Sequence, residues 1–135
     1  MIVSRERVSL PDEYAAMKLL SKILDREDPI SKDREHFWVI SLDAKNKVKF
    51  VELIGIGTVD NCLAHPREVF RRAIVSGAAK IIIGHNHPSG DSDPSPEDLE
   101  ITQKLKQASE ILSIPLLDHI IIGITHYSFK ANNQI

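Results

Sequence analysis

Between residues 80 and 122 the chain passes through an apolar strand, a polar loop, an amphipathic helix and a second apolar strand, and few folds accept that order. Lys80–Gly84 is a continuous apolar run of the kind found in a strand covered on both faces. Pro96–Leu112 carries Ile101, Leu105, Ala108 and Leu112 at helical intervals, facing inward, and Ile114–Ile122 returns to a strand. Strand, helix and strand in succession predict a right-handed crossover in a mixed sheet with helices packed against it.

The flanks extend that pattern. Leu10-Pro11-Asp12-Glu13 opens a helix running to about Leu24, with Tyr14, Met17, Leu20 and Leu24 on one face as core residues. Asp25–Arg34, which contains Pro29, is a connector. Phe37–Leu42 and Val48–Ile56 read as a hairpin about the turn Asp43-Ala44-Lys45-Asn46. His65-Pro66-Arg67-Glu68 begins a second helix, apolar at Val69, Phe70, Ala73 and Ile74 and stopped by Gly77. Tyr127–Lys130 adds an edge strand, and exposed edges can pair two copies, so a homo-oligomer is an expectation. With 135 residues the chain makes one domain, 1–135, large enough to bury a core without disulfides. Its ends, 1–9 and 131–135, are expected to be flexible.

Several function classes drop out on composition. The single Cys62 excludes an internal disulfide framework and cysteine-rich zinc folds, and fits a reducing, cytoplasmic setting. The apolar runs Ile81–Ile83 and Ile120–Ile122 are far too short to cross a bilayer, and the start Met-Ile-Val-Ser-Arg-Glu-Arg lacks a signal core. A net charge of −2 gives no broad basic field for nucleic acid, and Arg67, Arg71 and Arg72 read as a solvated helix face.

Chemistry concentrates where the buried strand ends. His85 and His87 are two apart, so an extended chain projects both imidazoles to the same side. Asp98 opens the following helix and can reach back to them. Three ligands from histidine and carboxylate, with a fourth position left for water, are the pattern of catalytic zinc, which lowers the pKa of that water to about 7. Ser95-Pro96-Glu97-Asp98 is also a good helix start by itself, with serine as N-cap and acids facing the dipole. Capping and metal binding are compatible, and capping does not account for the paired histidines. Asp91 and Asp93 compete as ligands, although a flexible loop supports a metal less well than a helix terminus. One cysteine excludes the Pro-Cys-x-x-Cys pair of nucleotide deaminases. Pro88-Ser89-Gly90 interrupts the hairpin that an HNH nuclease places after such a histidine string, and a helical His-Glu-x-x-His pair is absent.

The string His85-x-His87-Pro88, six residues, Ser95-x-x-Asp98 resembles the metalloprotease motif of the JAB/JAMM (MPN-plus) family. His85-Asn86-His87-Pro88-Ser89-Gly90, with His65-Pro66-Arg67-Glu68 upstream and Leu117-Asp118-His119 downstream, is similar to the RadC branch from about Leu10 to Lys130. The resemblance implies an α/β fold like that of cytidine deaminases, a mixed β-sheet flanked by helices. It implies zinc held by His85, His87 and Asp98, an oxyanion stabilised by Ser95, and a base at Glu35, immediately before His36-Phe37-Trp38-Val39. Glu52 and Glu68 are rival carboxylates. The function implied is that of a zinc-dependent metallopeptidase or isopeptidase acting on a protein or peptide. Full-length RadC proteins also carry an N-terminal region resembling helix-hairpin-helix DNA-binding modules, and this chain starts too late to include one. The alternative is a DNA-repair-associated or protein-binding module with a structural or vestigial metal site. The motif assigns no chemistry to His65 or His119, and His119, inside an apolar strand, is expected to be a hydrogen-bonded core histidine.

Overall fold

The apolar pattern resolves into one sheet with helices on both faces. A computed structural model of the protein describes residues 9–57 and 64–135, so Cys62 and residues 1–8 of the expected loose end lie outside the described residues. Strands β1 (Glu35–Leu42), β2 (Val48–Gly57), β3 (Lys80–Asn86), β4 (Leu116–Ile122) and β5 (His126–Ser128) lie in the order β2-β1-β3-β4-β5. The helices are α1 (Glu13–Leu24), α2 (Pro29–Lys32), α3 (Pro66–Ser76) and α4 (Pro96–Leu112). β1 pairs antiparallel with both β2 and β3, whereas β3 and β4 are parallel and joined through α4. This mixed sheet flanked by helices is the α/β architecture that the motif resemblance implies.

Two-sided burial explains the unbroken apolar run of β3. Ile81 and Ile83 pack with Phe37, Val39, Phe70 and Leu105 on the face covered by α3 and α4. Ile82 packs with Leu20, Trp38, Ile40 and Ile120 on the face covered by α1. Each such side chain contributes roughly 1.5–3 kcal/mol on full burial, so the central strand is held firmly from both sides. At Gly84 a β-carbon would overlap Leu20 Cδ1, so the missing side chain lets α1 lie close over the strand just before His85.

The structure departs from the expected elements in a few places. The connector 25–34 contains α2, because Asp28 caps Ser31 N at 2.8 Å and Pro29 supplies a preset first helical residue. Tyr14 is not core: it is 55 % exposed and meets His126 edge to face, while Ala16 and Leu20 fill the buried stripe of α1. Ile74 and Leu112 are likewise exposed near the ends of α3 and α4. Ile114 is buried but precedes the strand, since Ser113 turns left-handed (φ 57°) and Pro115 delays pairing until Leu116. β5 spans His126–Ser128 and then turns, because Ser128 Oγ and Lys130 N both donate to the Asp118 carboxylate. Beyond it, Gln134 N donates to Phe129 O at 2.9 Å. Among the described residues no helix is long and apolar enough to cross a membrane.

Candidate metal centre

Sheet register brings the first functional side chains together. Phe37 stands opposite His85 in the β1–β3 ladder. Glu35 and His87 each lie two residues beyond that pair toward the same end of the sheet, so the period of two returns both to the same face. The bond from His87 N to Ile122 O, 2.8 Å, keeps the chain aligned just past β3. The loop then bends at Gly90 (φ 90°) and is tied to the β4–β5 turn, with Ile124 N donating to Gly90 O at 2.8 Å. Gly123 makes this closeness possible, since a β-carbon there would come 2.9 Å from the Gly90 carbonyl carbon.

α4 delivers Asp98 through a capping box. Ser95 Oγ accepts from Asp98 N at 3.1 Å, and Asp98 Oδ2 accepts from Ser95 N at 2.9 Å. The same carboxylate meets both histidines: His85 Nε2 is 3.2 Å from Oδ1, and His87 Nε2 is 3.0 Å from Oδ2. The two Nε2 atoms are 3.0 Å apart. Donors on a tetrahedral zinc ion with bonds of about 2.0–2.1 Å stand about 3.3 Å from one another, so these three fit a small cation. The rings are oriented for it. His87 Nδ1 donates to Asp91 O at 2.7 Å and His85 Nδ1 lies 2.7 Å from His119 Nε2, which turns both Nε2 atoms inward.

The local electrostatics ask for positive charge at this point. Burial works to raise the Asp98 carboxyl, but hydrogen bonds from the His85 and His87 rings outweigh it and hold Asp98 far below the usual carboxylate range. The Asp98 hydrogen bond raises His87 against the effect of burial. Glu35 Oε1 stands 3.9 Å from His87 Nε2, and burial raises its carboxyl despite the opposing His85 and His87 charges. Glu35, His85 and His87 have donor atoms within 4.8 Å of one another and form a group able to hold a metal. Asp98 lies closer to both histidines than Glu35 lies to His87, which makes Asp98 the better third donor and leaves Glu35 beside the cluster.

The other candidates are engaged elsewhere. Glu52 pairs with Arg72, and Glu68 with Arg71 at 2.7 Å. Asp91 gives its carbonyl to His87 and its carboxylate to Asp93 N at 3.0 Å, a brace within the loop, and Asp93 is exposed. His65 is the N-cap residue of α3, and makes no side-chain capping bond. His119 is fully buried and hydrogen-bonded, and burial holds its ring well below the usual histidine range. Two side chains at the site went without a role in the sequence reading. Asn86, between the histidines, points to the opposite face, where Oδ1 accepts from His36 N at 2.6 Å and Nδ2 donates to Arg34 O at 3.1 Å. That clamp grips the backbone on either side of Glu35. Thr102, one turn after Asp98, lies 2.6 Å from His119 Nδ1. Strand alternation could have flagged Asn86, but nothing local marks Thr102.

Comparison with known proteins agrees with this architecture. A family profile described as RadC-like JAB domain matches residues 11–134. A UPF0758 protein of Desulforudis audaxviator is 55 % identical over 91 residues, covering 67 % of this chain and 40 % of that protein. One from Picosynechococcus sp. is 52 % identical over 118 residues (87 % and 46 %), and one from Trichodesmium erythraeum 45 % over 122 residues (89 % and 50 %). The chain spans at most about half the length of these relatives. A match over nearly its whole length, on a mixed sheet of this order, places the chain in the family of RadC-like JAB domains.

Proposed function

We propose that the domain is a zinc-dependent hydrolase that cleaves amide bonds, a metallopeptidase or isopeptidase. The observation that carries the reading is the convergence of His85 Nε2, His87 Nε2 and the Asp98 carboxylate within 3.0–3.2 Å, with the Glu35 carboxylate alongside. Zinc in such a ligand set supplies Lewis acidity and makes hydroxide available near neutral pH.

The remaining work belongs to the chain. Glu35, whose carboxylate stands beside the histidine pair, is the group placed to act as base. It takes the proton of the attacking water and returns it to the leaving amine. Ser95 uses an oxygen lone pair for the cap, so its hydroxyl proton remains free to donate to the developing oxyanion. Asn86 keeps Glu35 in place through the flanking backbone. Two clefts meet at His87 and Pro88, one of about 390 Å³ lined by Asp33, Glu35 and Ser89, the other of about 470 Å³ reaching Leu24 and Ile124. Room on both sides suits an extended polypeptide substrate.

The test combines metal analysis with turnover on a panel of peptides and isopeptides. His87→Ala and Asp98→Ala should lose zinc, whereas Glu35→Gln should keep zinc and lose roughly 10²–10⁴-fold in turnover. Full zinc content in both His87→Ala and Asp98→Ala would sink the ligand assignment, and unchanged turnover in Glu35→Gln would remove its role as base.

A further inference from the structure

None of the steps above uses His119, yet it is sealed in the core directly behind His85. Its ring stacks on Phe129 with centroids 4.5 Å apart. Nε2 lies 2.7 Å from His85 Nδ1, and Nδ1 lies 2.6 Å from Thr102 Oγ1. Thr102 Oγ1 is in turn 2.7 Å from the backbone carbonyl of Asp98, whose carboxylate faces His85 Nε2. The path therefore leaves one proposed ligand, crosses β4 and α4, and closes on another.

Protons can be counted along this path. A carbonyl only accepts, so the single hydroxyl proton of Thr102 goes to Asp98 O, and Thr102 Oγ1 accepts from His119 Nδ1–H. An imidazole buried between aromatic rings without an ion-pair partner carries one proton, which leaves His119 Nε2 bare to accept from His85 Nδ1–H. With Nδ1–H committed to His119, the proton that His85 Nε2 gives Asp98 in the metal-free chain is the one a metal would displace, which turns the Nε2 lone pair into the ligand. The opposite direction would face the Asp98 carbonyl with a lone pair at 2.7 Å and would keep the single proton of a neutral His85 on Nε2, where it blocks the metal.

We infer that His119, backed by Thr102, is a positioning residue that fixes His85 in its metal-binding tautomer and thereby raises metal affinity. This rests on the zinc reading above. A neighbour that sets the tautomer of a ligating histidine typically contributes 10–100-fold in affinity.

The experiment is competition for Zn²⁺ between a chromophoric chelator and metal-stripped protein, with ¹⁵N NMR of the zinc-loaded wild type. His85→Ala should abolish binding and His119→Phe should weaken it about 10–100-fold. His119→Gln, whose amide oxygen can accept from His85 Nδ1–H, should restore most of that loss. In the spectrum, His119 should carry its proton on Nδ1. Wild-type affinity in His119→Phe, or a proton on Nε2 of His119, overturns the inference while leaving the metal site standing. Undetectable zinc in the wild type, or undiminished zinc in His85→Ala, overturns both readings. If His119→Phe does not fold, Thr102→Val decides in its place: weakened binding is expected, and unchanged binding refutes.

Discussion

Replacing Asp98 by asparagine separates the helix cap, which its carboxylate makes, from the metal ligation proposed for it. An amide oxygen in the place of Oδ2 still accepts from Ser95 N, 2.9 Å away in the wild type, so the cap of α4 survives. What disappears is the charge. A hydrogen bond to a charged group contributes about 1.5–3 kcal/mol against about 0.5–1.5 for a neutral one, and a first-turn carboxylate adds about 0.3–1 kcal/mol through the helix dipole. Metal-free Asp98→Asn should therefore lose about 1–2 kcal/mol at pH 7. Because the folded state holds this carboxyl below its ordinary value, the contribution is present above the usual aspartate range and fades as the pH falls, so the two proteins should converge in acid. Zinc gives the second reading. At 100 times its dissociation constant it stabilises a binding-competent fold by about 2.7 kcal/mol, about 10 °C in Tm for a domain of this size. Thermal unfolding with chelator and with zinc should show that increment in the wild type and almost none in Asp98→Asn. A full zinc increment in the variant would refute the ligand role, and a metal-free loss above about 4 kcal/mol would show that the carboxylate holds the fold in some further way.

Three other perturbations test the frame around the site. Asn86→Leu leaves His36 N unpaired, at about 1–3 kcal/mol, and leaves Arg34 O with only the His36 Nδ1 donor at 2.9 Å, so it should lower both the denaturant midpoint and turnover because the Glu35 segment loses its clamp. Gly123→Ala pushes against the Gly90 backbone, so a loss of about 1–3 kcal/mol and weaker zinc binding are expected; unchanged values would show that the loop shifts freely. Burial raises the Asp118 carboxyl despite hydrogen bonds from Ser128, Lys130 N and His119 N, so its stabilising contribution is greatest below the ordinary aspartate value and is lost as the pH rises through the folded one. Asp118→Asn should therefore gain on the wild type as the pH rises above the ordinary aspartate range in equilibrium unfolding, and a gap that does not change with pH would contradict this.

The stretch from β3 to α4 was legible because three local signals agree there: a run buried on two faces, histidines in a period of two, and a serine-proline start with an acid at the third helical position. Glu35 was not legible from its neighbours. Only the resemblance singled it out, and the fold shows what distinguishes it, since Glu52 and Glu68 are paired with arginines while Glu35 reaches the histidines. His119 was recognisable as a core histidine, but its connection to His85 spans 34 residues of sequence and its connection to Thr102 spans 17. Pairings of that range are set by strand order, which no window of sequence contains. Tyr14 was misplaced for a related reason: helical period alone gives a stripe, and the exact edge of the stripe depends on where β4 and β5 end.

The Ser95–Asp98 capping box has a consequence for how such a domain can change over generations. Because the aspartate is useful to the helix whether or not a metal is present, a lineage that abandoned the chemistry would still be selected to keep Ser-x-x-Asp at the start of α4, while the histidines could drift. In a descendant chain that retains the pair without the two histidines, the surviving half of the motif would record the needs of a helix and say nothing about catalysis.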